Sequence, residues 1–168
     1  NIVFSATKNE DMNFDLLDKA FNLVVKRNDC LRIRFVKQGK QLMQYFLEED
    51  EVVFDDIAHL HFNTKEEQDK FIDKVRAKAI KYRKGEQIIP YFIKTYDGKS
   101  MVLLKVNHIV LDIYGIDFIL NDLLFSNEVI YKAFFEQQSF NLEKLEFIFE
   151  KRKLGMPLHY ILNVADFM

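Results

Sequence analysis

Apolar side chains along the chain switch several times between the spacing of a helix and the spacing of a strand. Within residues 14–27 they recur every three or four positions, which predicts an amphipathic helix with Asn13 as its N-cap. Between Leu31 and Phe35 apolar residues alternate with arginines, which predicts a strand. The nearly unbroken apolar run 101–106 predicts a strand that is buried on both faces.

The rest of the chain is divided by the same two periods. Further strands are predicted at 2–6, 42–47, 52–57 and 88–96, and the strand of the apolar run is extended to 100–106. Further helices are predicted at 64–84, 116–124, 129–137 and 142–152. Thr64 and Glu67 form a capping box, and Asp97 with Gly98 forms a hairpin turn. We therefore predict an α+β fold, a layered α/β sandwich in which helices pack on a mixed, mostly antiparallel sheet.

The composition excludes several classes of protein. With 168 residues and 17 phenylalanines, the chain can bury the core of one ordinary domain. Its 24 basic and 26 acidic residues nearly cancel, so neither nucleic acid nor a membrane is an expected partner. The single cysteine, Cys30, excludes an internal disulfide and suits a reducing compartment, so we expect a cytoplasmic protein. Because the sequence begins with Asn, we expect a piece of a larger protein.

One histidine occupies a position from which it can do chemistry. His108 follows the predicted buried strand directly, and Asp112 comes four residues later. Imidazole is the side chain whose ordinary pKa lies nearest neutrality, so a strand end that fixes it can present a general base. A lone histidine in this position is, however, more often a rim or core residue. Arg32 and Arg34 are expected on the solvated face of their strand.

Segment 107–113 reads Asn-His-Ile-Val-Leu-Asp-Ile. It resembles the His-His-x-x-x-Asp-Gly motif of the condensation domains of nonribosomal peptide synthetases, which belong to the acyltransferase superfamily that includes chloramphenicol acetyltransferase. Asn107 stands at the first histidine, His108 at the second, Asp112 at the aspartate and Ile113 at the glycine. Because glycine accepts positive φ angles that a β-branched residue accepts only with strain, we expect a different loop path here.

A second stretch supports the resemblance. Segment 27–35 reads Arg-Asn-Asp-Cys-Leu-Arg-Ile-Arg-Phe and is similar to the family motif Arg-His-x-x-Leu-Arg-x-x-Phe. The order of the two segments and their separation are also similar to those of the family. The resemblance covers about residues 10–137, one lobe of a two-lobed domain. We therefore assign 1–140 to the N-terminal lobe of a condensation domain, and leave 141–168 as a helix and tail that match no family motif.

The resemblance implies a reaction and its partners. In the family, an amine on one carrier-protein thioester attacks the thioester carbonyl on another, and an amide forms. His108 would face the reacting groups, as a general base or as a group that orients the nucleophile. Asp112 would hold the loop by pairing with an arginine, for which Arg32 and Arg34 are the local candidates and the second lobe of the domain is the alternative source, and Asn107 would supply hydrogen bonds. No cofactor binds directly, since the substrates ride on the phosphopantetheine of donor and acceptor carrier domains, and the C-terminal lobe completes the reaction channel.

Other functions remain open at this point. Asn107 and Ile113 are consistent with a degenerate, non-catalytic domain that docks carrier proteins, and the superfamily also contains trimeric acetyltransferases that use acyl-CoA. In an extended segment, His59 and His61 would place two imidazoles on one side, as metal ligands would lie. No cluster in the sequence completes that site, so we predict no metal. Cys30 is expected to be a buried thiol rather than a nucleophile.

Overall fold

The computed structural model describes residues 1–81 and 85–135, with the backbone alone described for 129–135. The elements in chain order are β1 (Ile2–Lys8), α1 (Phe14–Arg27), α2 (Asp29–Arg32), β2 (Ile33–Gln38), β3 (Gln41–Phe46), β4 (Ala58–His61), α3 (Lys65–Ala77), β5 (Ile88–Lys94), β6 (Ser100–Val106) and α4 (Ile113–Phe135). Contacts divide the chain into two units, Asn1–Ser126 and Asn127–Met168. In the second unit the structure describes only the end of α4.

Four strands form the main sheet, in the order β1-β6-β5-β4. β6 lies antiparallel between β1 and β5, whereas β4 pairs in parallel with β5. All seven residues of β6 are buried, which confirms the strand predicted from the apolar run. β2 and β3 form a separate hairpin. The predicted α+β class, with a mixed and mostly antiparallel sheet, is confirmed.

Helices cover the main sheet on its two faces. On one face, Val75 of α3 packs with Ile93, Met101 and Leu103. On the other, Phe14 at the start of α1 contacts the ring of Phe92, with the ring centres 6.0 Å apart. Alternate residues of a strand point to opposite faces, so Phe92 and Ile93 reach the two layers in turn. The sheet is therefore the middle layer of a sandwich.

α1 forms where the apolar spacing predicts it. Asn13 Oδ1 accepts a hydrogen bond from Leu16 N at 3.1 Å, so the predicted N-cap is present. The buried face of the helix supplies a large part of the core: Leu16, Leu17, Ala20, Phe21, Val24 and Val25. Thr64 caps α3 in the same way, by accepting from Glu67 N at 3.3 Å. No helix in the described ranges is long and apolar enough to cross a membrane.

The strand predicted at 52–57 is wrong. The edge strand is β4, a few residues later, because the backbone of Phe54 is already hydrogen-bonded to a side chain. Asn22 Oδ1 accepts from Phe54 N at 2.8 Å, and Asn22 Nδ2 donates to Phe54 O at 3.1 Å. Asn22 lies 32 residues away on α1, so these bonds arise only when the helix and the segment meet. Those two backbone groups are then unavailable to a neighbouring strand.

Three helix predictions also change. The helix predicted at 64–84 ends earlier, at Ala77. The separate helices predicted at 116–124 and 129–137 are joined, as far as residue 135, in one continuous helix, α4, because Ser126 and Asn127 lower helix propensity without breaking the helix. Positions 136–137 lie outside the described residues. The helix predicted at 142–152 lies outside the described residues.

Candidate active site

β6 delivers the candidate site to one end of the sheet. Its last residue, Val106, pairs with the first residues of both neighbouring strands, Ile2 and Ile88. The chain then leaves the sheet at Asn107, whose backbone N donates to the carbonyl of Gln87 at 2.8 Å. The loop that carries His108 therefore starts from a point fixed by strands on both sides.

The side chain of Asn107 gives this point a second hold. Its Nδ2 donates to Gln87 Oε1 at 2.9 Å, and its Oδ1 accepts from the backbone N of Ile109 at 3.3 Å. Gln87 has no exposed surface, and its own Nε2 donates to the carbonyl of Gly85 at 2.9 Å. The amide of Asn107 thus links the residue that precedes β5 with the loop that follows the histidine.

His108 is exposed and its ring is oriented by one hydrogen bond. Nδ1 lies 3.1 Å from the carbonyl oxygen of Leu111. Because a carbonyl oxygen can only accept, the proton of this bond belongs to Nδ1. In the neutral ring the lone pair is therefore on Nε2, at the far side of the imidazole. The loop thus directs Nε2 of the imidazole away from Leu111.

Asp112 caps a helix, and it pairs with no arginine among the residues that the structure describes. Its Oδ1 accepts from Gly115 N at 2.8 Å, and its carbonyl accepts from Ile116 N at 3.0 Å. This is the geometry of an N-cap residue for α4, which begins at Ile113. The expected pairing of Asp112 with Arg32 or Arg34 is therefore wrong for the part of the chain that the structure describes.

Ile113 also takes an ordinary conformation. As the first residue of α4 it has a helical backbone, which a β-branched side chain adopts without strain. The close approach occurs two residues later, where a Cβ on Gly115 would lie 2.7 Å from Leu111 Cδ2, so the end of the Leu111 side chain would have to shift. Replacing the family's glycine at position 113 therefore imposes no positive φ on this loop.

Arg32 is buried, contrary to the expected solvated face, and it closes the end of α1. Its guanidinium donates to the carbonyls of Val25 at 3.2 Å and Lys26, and to the carbonyl of Leu47 at 3.0 Å. It also pairs with Asp29 at 2.6 Å. The last carbonyls of a helix have no partner within the helix, so a buried arginine can cap several of them at once.

Arg34 is buried as well, and its partners differ from those of Arg32. Its Nη1 donates to the carbonyl of Ile33 at 2.9 Å, and its Nη2 lies 3.6 Å from Glu86 Oε1. Glu86 precedes Gln87, the residue that holds Asn107. The segment 86–87 therefore connects the arginine stretch to the histidine loop, a link that joins the two sequence motifs through neither Asp112 nor His108.

Two residues that organise this region, Gln87 and Asp122, are not among the residues that the sequence pattern singles out. Asp122, a buried acid on α4, accepts from Arg27 Nη1 at 3.2 Å and from Asn28 Nδ2 at 3.4 Å. The signal for Asp122 was an acidic residue within an apolar helical segment, since a buried carboxylate needs a partner. No local pattern marks Gln87.

Similarity to known proteins identifies the family. A sequence model of the condensation domain matches residues 1–150 of the 168 in this chain. The chain belongs to the condensation-domain family. No curated protein matches its sequence.

Solved condensation domains share its fold. The first condensation domain of the calcium-dependent antibiotic synthetase aligns with 83% of this chain and 33% of its own, at 15% identity and a TM-score of 0.68. The starter condensation domain of the rhizomide synthetase, bound to C8-CoA, aligns with 78% of this chain and 30% of its own, at 16% identity and a TM-score of 0.68. A protein from Streptomyces globisporus aligns with 77% of this chain and 30% of its own, at 16% identity and a TM-score of 0.66. This chain therefore spans between a quarter and a third of the solved chains it matches.

Large apolar side chains are exposed on the loop between β6 and α4, which carries His108, and in the first turns of α4. Their exposed fractions exceed half: Ile109, Ile113, Tyr114 and Phe118. Tyr114 alone is 83% exposed. Large exposed apolar patches are typical of surfaces that another protein segment or a ligand covers, and these four side chains lie within ten residues of sequence.

Proposed function

We propose that this chain is the N-terminal lobe of a condensation domain that forms amides by acyl transfer between carrier-borne thioesters in nonribosomal peptide synthesis. The observation that carries the proposal is the pose of His108, an exposed imidazole at the end of a buried strand, with Nδ1 bonded to Leu111 O and Nε2 on the far side of the ring. Membership of the family supplies the class of reaction.

In the proposed mechanism, the amine of the acceptor substrate attacks the carbonyl carbon of the donor thioester. The N–C bond forms, and His108 Nε2 accepts the proton that the amine loses. The C–S bond then breaks, and the leaving sulfur takes the proton back from the imidazolium, so the ring is regenerated. A general base in such a step contributes about a hundredfold to ten-thousandfold in rate. A ring that only hydrogen-bonds and orients the amine would act through the same nitrogen.

Asn107 and Asp112 act as positioning residues in this proposal. Asn107 ties the loop to the buried Gln87, and Asp112 starts α4 directly after the loop. Arg32 and Arg34 hold the surrounding structure, since their contacts are with backbone carbonyls and with Asp29 and Glu86. A preorganised base needs such support because small displacements of a reacting group cost large factors in rate.

The proposed partners follow from the family and from the exposed surface. Donor and acceptor carrier domains bring the substrates on phosphopantetheine, and no further cofactor is needed for acyl transfer. The C-terminal lobe of the same domain would cover the apolar side chains around Ile113 and Tyr114. That lobe would also complete the channel in which His108 meets the two substrates.

The test uses the parent protein with loaded donor and acceptor carrier domains. Wild type should yield the amide, and His108→Ala should lower the turnover by about a hundredfold or more. His61→Ala is the matched control, because His61 is also an exposed histidine but lies at the end of β4. Full turnover by His108→Ala would remove His108 from the mechanism.

A second candidate function is carrier docking without catalysis. The replacement of the family's first histidine by Asn107 favours it, because an amide cannot titrate. Native mass spectrometry on the same mixture separates the two functions. A carrier complex without any amide product would support docking, whereas product formation would exclude it as the sole function.

A further inference from the structure

A cluster of three metal-ligating side chains lies outside the candidate active site. Asp15 and Asp18 are three residues apart on α1, so they share one face of the helix. His59 on β4 places its Nε2 2.9 Å from Asp18 Oδ1. One ligand atom from each of the three residues lies within 4.8 Å of the other two. The fold thus completes a site that the pair His59 and His61 left incomplete in the sequence.

The ring of His59 is held in place by aromatic packing. Its centre lies 5.3 Å from that of Phe14, at an interplanar angle of 62°, and 5.9 Å from that of Phe92. Both phenylalanines belong to the layers that the helix and the sheet bring together. The imidazole is therefore oriented by its surroundings, which lowers the cost of binding a ligand at Nε2.

We propose that Asp15, Asp18 and His59 bind a divalent transition-metal ion of the zinc class. An imidazole nitrogen with two carboxylates suits Zn²⁺, Co²⁺ or Ni²⁺ better than Mg²⁺ or Ca²⁺, which prefer oxygen ligands alone. Two carboxylates balance the charge of the ion. Ligands about 2.0–2.2 Å from a tetrahedral ion are separated by about 3.3–3.6 Å, so small side-chain rotations within the cluster suffice.

The surroundings leave room for the rest of the coordination shell. A cavity of about 580 Å³ adjoins the cluster and is lined by Asp15 and Asp18 together with Asn22 and Asp55. Three protein ligands leave a fourth position, which water from this cavity can occupy. The bound ion would join α1 to the edge strand β4, so it would stabilise the folded chain. This inference does not depend on the proposed acyl transfer.

The experiment is a titration of the tag-free chain with ZnCl₂ in metal-free buffer, followed by calorimetry and by thermal unfolding. One equivalent should bind and raise the unfolding temperature, because a ligand of the native state stabilises it. His59→Gln and Asp18→Asn should each weaken binding by about a hundredfold or more, since changes behind a ligand already cost about 10–100-fold.

Two further variants make the result decisive. His61→Ala should bind as wild type does, because His61 is outside the cluster. Asp15→Asn should weaken binding without disturbing the fold, because Asp15 is exposed, so it tests the site even if His59→Gln unfolds. Absence of binding by wild type, or equal loss in His61→Ala, would overturn the proposal and leave only the hydrogen bond between Asp18 and His59.

Discussion

The role of Asp112 is the sharpest prediction that the geometry allows. The family resemblance implies an arginine partner, whereas the structure shows an N-cap, with Oδ1 accepting from Gly115 N at 2.8 Å. An asparagine keeps a side-chain oxygen for that bond and loses only the charge. An alanine loses both. Comparing Asp112→Asn with Asp112→Ala therefore separates a cap from an ion pair.

The magnitudes follow from one hydrogen bond and one exposed charge. Loss of an N-cap side chain costs about 1 kcal/mol, within a range of about 0.5–2. The charge of Asp112 at the positive end of α4 adds about 0.3–1 kcal/mol. We expect Asp112→Ala to lower the free energy of unfolding by about 1–2 kcal/mol and Asp112→Asn by at most about half of that. A buried ion pair would instead lose about 3–5 kcal/mol in both variants.

Urea unfolding followed by far-UV circular dichroism measures these differences on the chain itself. For a chain of this size, each kcal/mol corresponds to about 2–4 °C in the unfolding temperature. Asp117→Asn is the control, since it removes an exposed negative charge from the same helix without touching the cap. Equal and large losses in the asparagine and alanine variants would refute the capping role and restore an arginine partner.

Three other predictions concern buried or half-buried groups. Asp122→Asn should lower the free energy of unfolding in urea by about 2–3 kcal/mol. This is less than for a fully buried ion pair, because the side chain of its partner Arg27 is 18% exposed. The control Asp117→Asn should lower it little. Burial, with the nearby charge of Lys78, lowers the pKa of Lys105 from 10.5, so the unfolded chain binds more protons just below that pH. Stability should therefore rise with pH there in wild type relative to Lys105→Met. Burial raises the pKa of the Cys30 thiol above 9.0, so iodoacetamide should alkylate it more slowly than in the urea-unfolded chain.

The parts of the fold that the sequence predicts are those set by local chemistry. The cap and the apolar stripe of α1 lie within a few turns, so Asn13 and the buried face of the helix are visible without knowledge of the fold. β6 is equally visible, because a strand buried on both faces has to be apolar nearly throughout. The one polar residue that interrupts it, Lys105, is buried and donates to the last carbonyls of α3, at Val75 and Lys78.

The parts that the sequence misjudges depend on distant partners. Alternation with Ile33 and Phe35 suggested a solvated arginine face, yet Arg32 and Arg34 are buried because backbone carbonyls and acidic side chains satisfy them. In the same way, Asn22 takes the backbone groups of Phe54 and prevents the predicted strand. A period-two pattern reports which residues alternate, and it does not report whether a polar residue has a buried partner.

The candidate site also contains features that the local sequence predicts and features that depend on distant partners. The position of His108 at a strand end follows from the apolar run before it, and the exposed ring agrees with that expectation. The hydrogen bond between Asn107 and Gln87 could not be foreseen, because these two residues meet only when β5 and β6 pair. The roles assigned to His108, Asn107, Asp112, Arg32 and Arg34 stay predictions until the variants are measured, although the contacts already restrict which roles are physically available.

Asn107 bears most directly on whether the domain is catalytic. Its amide donates to Gln87 Oε1 and accepts from Ile109 N, and a neutral histidine also offers one donor and one acceptor. The replacement therefore preserves the hydrogen-bonding role and removes only the titration. If positioning is all that this position supplies, Asn107→His in the parent protein should leave the turnover nearly unchanged, and Asn107→Leu should lower it without weakening carrier binding. If Asn107→His instead creates turnover about a hundredfold above a nearly inactive wild type, the asparagine marks a lost function, and docking becomes the better account.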